Sequence, residues 1–194
     1  DGIVRLCESL SDRALVVVDE AYIEFADAQS VVSLLDRYPN LVVLRTLSKA
    51  YALAGARCGA VLARADIVAL LARVITPYAL PAPTIDAVLR LTDEAHRAEA
   101  RDRIAKVLSE RARVSRELAR AALVRKVWPS ATNFLLVECT DAQRVLRAAS
   151  AAGLIIRDTR SQPGLADCVR ITIGTPEQND RLLEGIRQAN GTMT

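Results

Sequence analysis

Three unbroken apolar runs constrain this chain more than any other feature: Ala14-Leu15-Val16-Val17-Val18, Leu41-Val42-Val43-Leu44 and Cys58-Gly59-Ala60-Val61-Leu62-Ala63. A strand that is apolar at every position, rather than at alternate ones, has two faces to bury. Such runs, separated by helix-like segments, predict an α/β fold with a mainly parallel sheet and helices on both faces. A helix over residues 3–12 leads into the first run, and another over 66–74 follows the third. Residues 76–83 carry Pro77, Pro81 and Pro83 and read as a loop.

From 84 to 126 the chain reads as helical, with a break near Thr92-Asp93. Ile104, Val107, Leu108, Val114 and Leu118 form one apolar stripe among arginines and glutamates, whose charges make the solvated face. Pro129 marks a boundary. Beyond it the pattern gives a strand (133–139), a helix (141–151), short strands at 154–157 and 169–173, and a closing helix (177–189). The expected organisation is therefore a large domain over 1–126, ending in a long linking helix, and a small α+β domain over 127–194. No internal repeat stands out.

Composition narrows the function. A net charge of +3, with bases and acids interspersed, gives no stripe for nucleic acid or a membrane surface. No apolar stretch within these residues approaches the ~20 needed to span a bilayer. Cys7, Cys58, Cys139 and Cys168 lie far apart, and His96 is the single histidine, which argues against a zinc site and for reduced thiols in the cytoplasm.

The chemistry concentrates around Lys49. The chain is rich in arginine and has three lysines, of which Lys106 and Lys126 lie in charged, helix-like sequence. Lys49 instead follows an apolar strand, beside Ser48, ahead of a small Gly-containing segment that ends in Arg57. A lysine held off bulk water loses solvation of its ammonium form, and its amine can then attack a carbonyl, which an arginine cannot do. Asp19 ends the first strand and is followed by Glu20-Ala21-Tyr22. Ligands of open α/β sheets gather beyond the carboxyl ends of the strands. A carboxylate, a phenol, a serine-lysine pair and an arginine thus converge on one rim, which is the inventory a pyridoxal phosphate site needs. Asp19-Glu20 after an apolar strand also suits magnesium in a nucleotidase, a reading that requires a G-x-x-x-x-G-K-[ST] loop this chain lacks.

The blocks Val16-Val17-Val18-Asp19-Glu20-Ala21-Tyr22-Ile23-Glu24-Phe25 and Arg45-Thr46-Leu47-Ser48-Lys49-Ala50-Tyr51-Ala52-Leu53-Ala54-Gly55-Ala56-Arg57-Cys58-Gly59 closely resemble the histidinol-phosphate aminotransferases. These are pyridoxal-phosphate enzymes of fold type I in the class II aminotransferase group. The resemblance continues through residues 74–78, 132–134, 153–158 and 169–175, so it covers essentially the whole chain. It implies transamination of L-histidinol phosphate with 2-oxoglutarate, yielding glutamate, in histidine biosynthesis, by a cytoplasmic homodimer. It implies that Lys49 carries the cofactor and shuttles a proton between Cα and C4′. Asp19 would pair with the pyridinium nitrogen, Tyr22 with the ring O3′, and Ser48 and Arg57 with the phosphate. Arg170 would hold the anionic end of the substrate, with Arg157 and Asn133 as further candidates. Asn133 reads equally as a turn residue, and Arg157 as a surface ion pair with Asp158.

The family's chain is nearly twice as long, and its first half carries further cofactor contacts. Asp1-Gly2 is similar to the end of the family's N-P-x-N-P-[TD]-G motif, and an abrupt start here suggests upstream sequence. Two other readings follow. The chain resembles threonine-phosphate decarboxylase in its site plan. As it stands it also reads as an incomplete fragment, with unpaired sheet edges and apolar faces, that is poorly soluble or self-associating alone.

Overall fold

The computed structural model describes residues 2–91 and 93–191, with the side chains of the last two of these left aside. It divides into two compact units, Asp1–Arg101 and Asp102–Thr194.

In the first unit, helix α1 (Gly2–Ser9) precedes strands β1 (Val16–Asp19), β2 (Leu41–Thr46) and β3 (Gly59–Ala63), which lie in the order β1-β2-β3. Helices α2 (Ala65–Ala72) and α3 (Ala82–Arg90) follow. Strands β1 and β2 are parallel, with Val16 opposite Leu41 and Asp19 opposite Leu44. Strand β3 runs antiparallel to β2, with Thr46 opposite Gly59, so the third apolar run is the antiparallel member of a sheet expected to be mainly parallel. The reason lies in the connection. A parallel return needs a long crossover, usually a helix, whereas residues 47–58 form a loop closed on itself. Leu47 N donates to Cys58 O (3.2 Å) and Leu53 N to Leu47 O (3.0 Å), with one 3-10 turn at Ala54–Ala56 between.

Cys7, Val16, Tyr38, Leu41 and Val43 form the core of this unit, with Ile3, Val4, Val18 and Leu62 packed against it. Buried Asn40 ties α1 to the sheet by donating to Cys7 O (3.1 Å) and Ala14 O (3.2 Å). The sheet was expected to be covered on both faces, but Val17 is 56% and Val61 46% exposed. Among the described residues, then, the apolar runs are only partly covered.

Helix α4 (Glu94–Leu118) crosses from the first unit into the second. Helix α3 ends at Arg90 and α4 starts at Glu94, on either side of the break that the sequence predicts near Thr92-Asp93, and Asp93 accepts from Ala95 N at 3.0 Å; Thr92 itself lies outside the described residues. The second unit continues with β4 (Val124–Val127), β5 (Phe134–Cys139), α5 (Ala142–Ala151), β6 (Arg157–Asp158), β7 (Cys168–Thr172) and α6 (Pro176–Gly191). Its strands lie in the order β4-β5-β7-β6, each pair antiparallel. Alternation in β5 buries Leu135, Val137 and Cys139 against Val114, Leu118, Val145, Ile171 and Ile186. Gly185 lets α6 approach α5, because a Cβ there would stand 3.1 Å from Ala148 O.

Helix α4 ends at Leu118 rather than near 126, because β4 occupies Val124–Val127. Arg125 and Lys126 are exposed while Val124 and Val127 pack on the core, so this is a strand written in charged residues. The sequence puts the domain boundary at 126/127, whereas the compact units part at 101/102, within α4. Val107, Val114 and Leu118, on the later turns of α4, belong to the second core. No helix among the described residues is long and apolar enough to cross a membrane.

Candidate active site

The carboxyl ends of β1 and β2 and the start of β3 share one edge of the first sheet, and five expected site residues lie there. Strand β1 delivers Asp19, whose Oδ1 accepts from Ala21 N (2.9 Å) and turns the chain off the sheet. Half-buried Tyr22 follows, at the entry to the 3-10 turn Ile23–Phe25. Strand β2 ends at Thr46, whose Oγ1 accepts from Ser48 N (3.1 Å) and donates to Ser48 Oγ (2.9 Å). Thr46 thus fixes Ser48. Its signal in the sequence is hydroxyl residues two apart at a strand end.

Lys49 comes next, with its Nζ 5.5 Å from the centre of the Tyr22 ring. Beyond it Ala52 (φ 57°) and Arg57 (φ 52°) both take the left-handed region. Each costs about 1 kcal/mol or more and persists only where surroundings over-determine the backbone, commonly at functional sites. Arg57 closes the loop by donating from Nη1 to Ala54 O (3.0 Å). Gly59 has a steric reason: a Cβ would come within 2.8 Å of Arg45 O on the neighbouring strand. One expectation is not met by this chain alone, for Lys49 is exposed. The Tyr22 ring flanks its amine, but the water-excluding surroundings anticipated from the sequence are not supplied.

Glu20 has a different task from Asp19. It is 6% exposed. Its Oε1 accepts from Val31 N (2.7 Å) and its Oε2 from Ser30 Oγ (2.7 Å), with Arg45 Nε 3.5 Å away. Both oxygens are committed to protein donors. The magnesium reading therefore loses its second ligand.

The second unit holds the remaining candidates. Arg170 on β7 stands opposite Leu136 of β5 and Arg157 of β6. Its Cζ lies 5.0 Å from the centre of the Phe134 ring, and its Nε is buried with no partner among the described residues. Two like charges directly opposite one another destabilise a sheet by a few tenths of a kcal/mol, up to about 1 kcal/mol. The neighbouring carboxylate does not relieve them. Asp158 takes Arg160 instead, at 2.9 and 2.7 Å, and these bonds hold its carboxyl down at about 2. The alternative reading of Arg157 as the partner of Asp158 is thus not met, since Asp158 pairs with Arg160. Asn133 precedes β5 and accepts from Ile173 N through its backbone carbonyl (2.9 Å), a strand-end position.

The family model for aminotransferase class I and II matches residues 2–186. The chain belongs to this family. A histidinol-phosphate aminotransferase of Xylella fastidiosa is 50% identical over 185 residues, covering 95% of this chain and 51% of that protein. The histidinol-phosphate aminotransferase of Sinorhizobium meliloti, solved in complex with pyridoxal-5'-phosphate, matches this chain with a TM-score of 0.81 at 30% identity. That match covers 97% of this chain and 52% of that one. The L-threonine-O-3-phosphate decarboxylase of Porphyromonas gingivalis matches with a TM-score of 0.82 at 27% identity, over 96% of this chain and 57% of that one. The chain spans about half the length of the curated relatives it matches.

The residues of this family member fit a phosphorylated pyridine aldehyde. Its lysine lies on a strained loop beside a phenol, a carboxylate ends the adjacent strand, and a serine and an arginine offer donors for a phosphate. Arg45, Glu24 and Thr46 are the residues of this rim to which sequence reasoning gave no role.

Proposed function

We propose that the protein to which this chain belongs transfers an amino group between L-histidinol phosphate and 2-oxoglutarate, using pyridoxal phosphate, in histidine biosynthesis. The observation that carries the proposal is the gathering of Asp19, Tyr22, Ser48, Lys49 and Arg57 on one sheet edge, with Lys49 against Tyr22. The names of the relatives supply the substrate.

Pyridoxal phosphate, when bound, supplies an aromatic ring that accepts the electron pair left at the substrate's Cα. The protein's part is to hold and orient. Lys49 would hold the cofactor, and its amine would serve as the group that takes up and returns the proton at the substrate's Cα. Asp19, as a carboxylate, keeps a proton on the pyridine nitrogen. Tyr22 donates to O3′. Ser48 and Arg57 bind the phosphate, a planar guanidinium being suited to two of its oxygens at once. Arg170, whose Nε has no partner among the described residues, would take the anionic end of the substrate, and Arg157 opposite it would serve the same region. An anion there would offset the repulsion between the two guanidinium groups. Asn133, beside Phe134, borders that region. We assign the protein to the cytoplasm as a homodimer, with no nucleic-acid or membrane partner.

The likeness to the Porphyromonas decarboxylase favours a second reading, loss of CO2 from a phosphorylated amino acid at the same site plan. Turnover of L-histidinol phosphate with 2-oxoglutarate, set beside CO2 release from L-threonine O-3-phosphate, separates them. The proposal expects the first to exceed the second by about a hundredfold or more in kcat/KM. The reverse order would replace transamination by decarboxylation.

A further inference from the structure

Tyr22 stands between two carboxylates that reach for the same arginine. Arg45, on β2 four residues before Lys49, places its Nε 3.5 Å from Glu20 Oε2 and donates from Nη1 to Glu24 Oε1 at 3.2 Å. Glu20 directly follows Asp19, and Glu24 lies in the 3-10 turn that Tyr22 opens. The turn is pinned at both ends, by Ile23 N donating to Glu20 O (3.2 Å) and Phe25 N to Tyr22 O (2.9 Å). Glu20 also anchors outward, to Ser30 and Val31, and its own N–H donates to Leu44 O (2.9 Å).

The side chains are mostly withdrawn from water, with exposures of 31% for Arg45, 5% for Glu20 and 16% for Glu24. Desolvating charges in this way is a poor route to stability, because apolar residues of similar volume usually serve as well or better. What one guanidinium between two carboxylates does supply is geometry, since its planar fork fixes both directions at once.

We propose that Arg45, gripped by Glu20 and Glu24, is a positioning residue. It sets the Tyr22 ring against Lys49 and holds the Asp19 end of β1 in line with the lysine strand. The inference rests on the function proposed above. It predicts that loosening the grip disorders the cofactor within an occupied site rather than emptying the site.

The test uses the intact, cofactor-loaded protein carrying Arg45→Gln, Glu24→Gln or Lys49→Ala. Arg45→Gln is expected to keep the visible absorbance of bound cofactor but lose most of its visible circular dichroism per bound cofactor. Its kcat should fall by about tenfold to a hundredfold while KM for the amino donor changes less than about threefold. Glu24→Gln removes the charge of one arm while keeping an acceptor oxygen, and leaves the Glu20 pair, so a smaller loss of the same kind is expected, and this variant carries the test if Arg45→Gln does not fold. Either folded variant with dichroism and kcat like the parent overturns the proposal. So does a loss of occupancy with unchanged dichroism per bound cofactor, the mark of a merely structural role. Lys49→Ala separates the two layers. If it keeps the same lysine-linked band, the assignment of Lys49 itself fails; if it loses that band while Arg45→Gln is unchanged, only the positioning role fails.

Discussion

Asp158 shows how a single carboxylate can change a neighbour's reading. In sequence it adjoins Arg157, and a surface pair is one of two readings of that arginine; in the fold it accepts from the side chain and backbone N–H of Arg160. Those bonds lower its carboxyl from the ordinary 3.8 to about 2. A carboxyl whose folded value is depressed contributes stability that is present in full above the unfolded value and lost as pH falls through the folded one. The window here runs from about pH 4 down to about pH 2. Asp158→Asn should therefore weaken the protein modestly at neutral pH and flatten its decline in that window. Urea midpoints at about pH 6 and about pH 3 measure this, and equal sensitivity of both proteins to acid would contradict it. Legibility at this scale followed chemistry. The placing of Lys49, Asp19 and Arg57 at one end of the sheet could be anticipated, because each adjoins an apolar strand run. Glu20, Arg45 and Glu24 could not, because their partners are set by how β1 and β2 pair and where residues 30 and 31 return.

Most elements were visible as patterns, and the misses have physical causes. The apolar run 58–63 gave a strand but not its direction, which depends on the hydrogen-bonded loop 47–58. Strand β4 was hidden because Val124 and Val127 are separated by two solvated charges, and a short edge strand needs little apolar sequence. The helix over 94–118 was plain from its stripe, though not its end at Leu118. Exposure among the elements of the first unit has a consequence of its own. Strands β1 and β3 are sheet edges, and Leu15, Val17, Val61, Leu70, Val74, Ile75 and Leu89 are 46–78% exposed. Open strand edges and apolar patches of this kind promote association. Residues 1–194 alone are expected to run as oligomers or aggregates in sedimentation velocity. A monodisperse monomer that unfolds cooperatively would contradict that.

At the scale of the whole molecule the chain comprises two units with separate cores, and the chemistry divides between them. The first gathers a lysine, a carboxylate and a phenol at one sheet edge, and the second presents facing arginines on β6 and β7. That division agrees with the tasks proposed for them, holding a cofactor and binding an anionic substrate. Family and fold class were legible from the order of the blocks, because each block joins a strand end to a chemical group. The central claim is that Lys49 holds the cofactor, and the chain's three lysines make it sharp. Borohydride reduction of the cofactor-loaded intact protein, followed by peptide mass mapping, fixes the pyridoxyl group where it is bound. The label is expected on the peptide containing Lys49; label on Lys106, on Lys126 or on a lysine outside these residues, with Lys49 unmodified, would contradict that role.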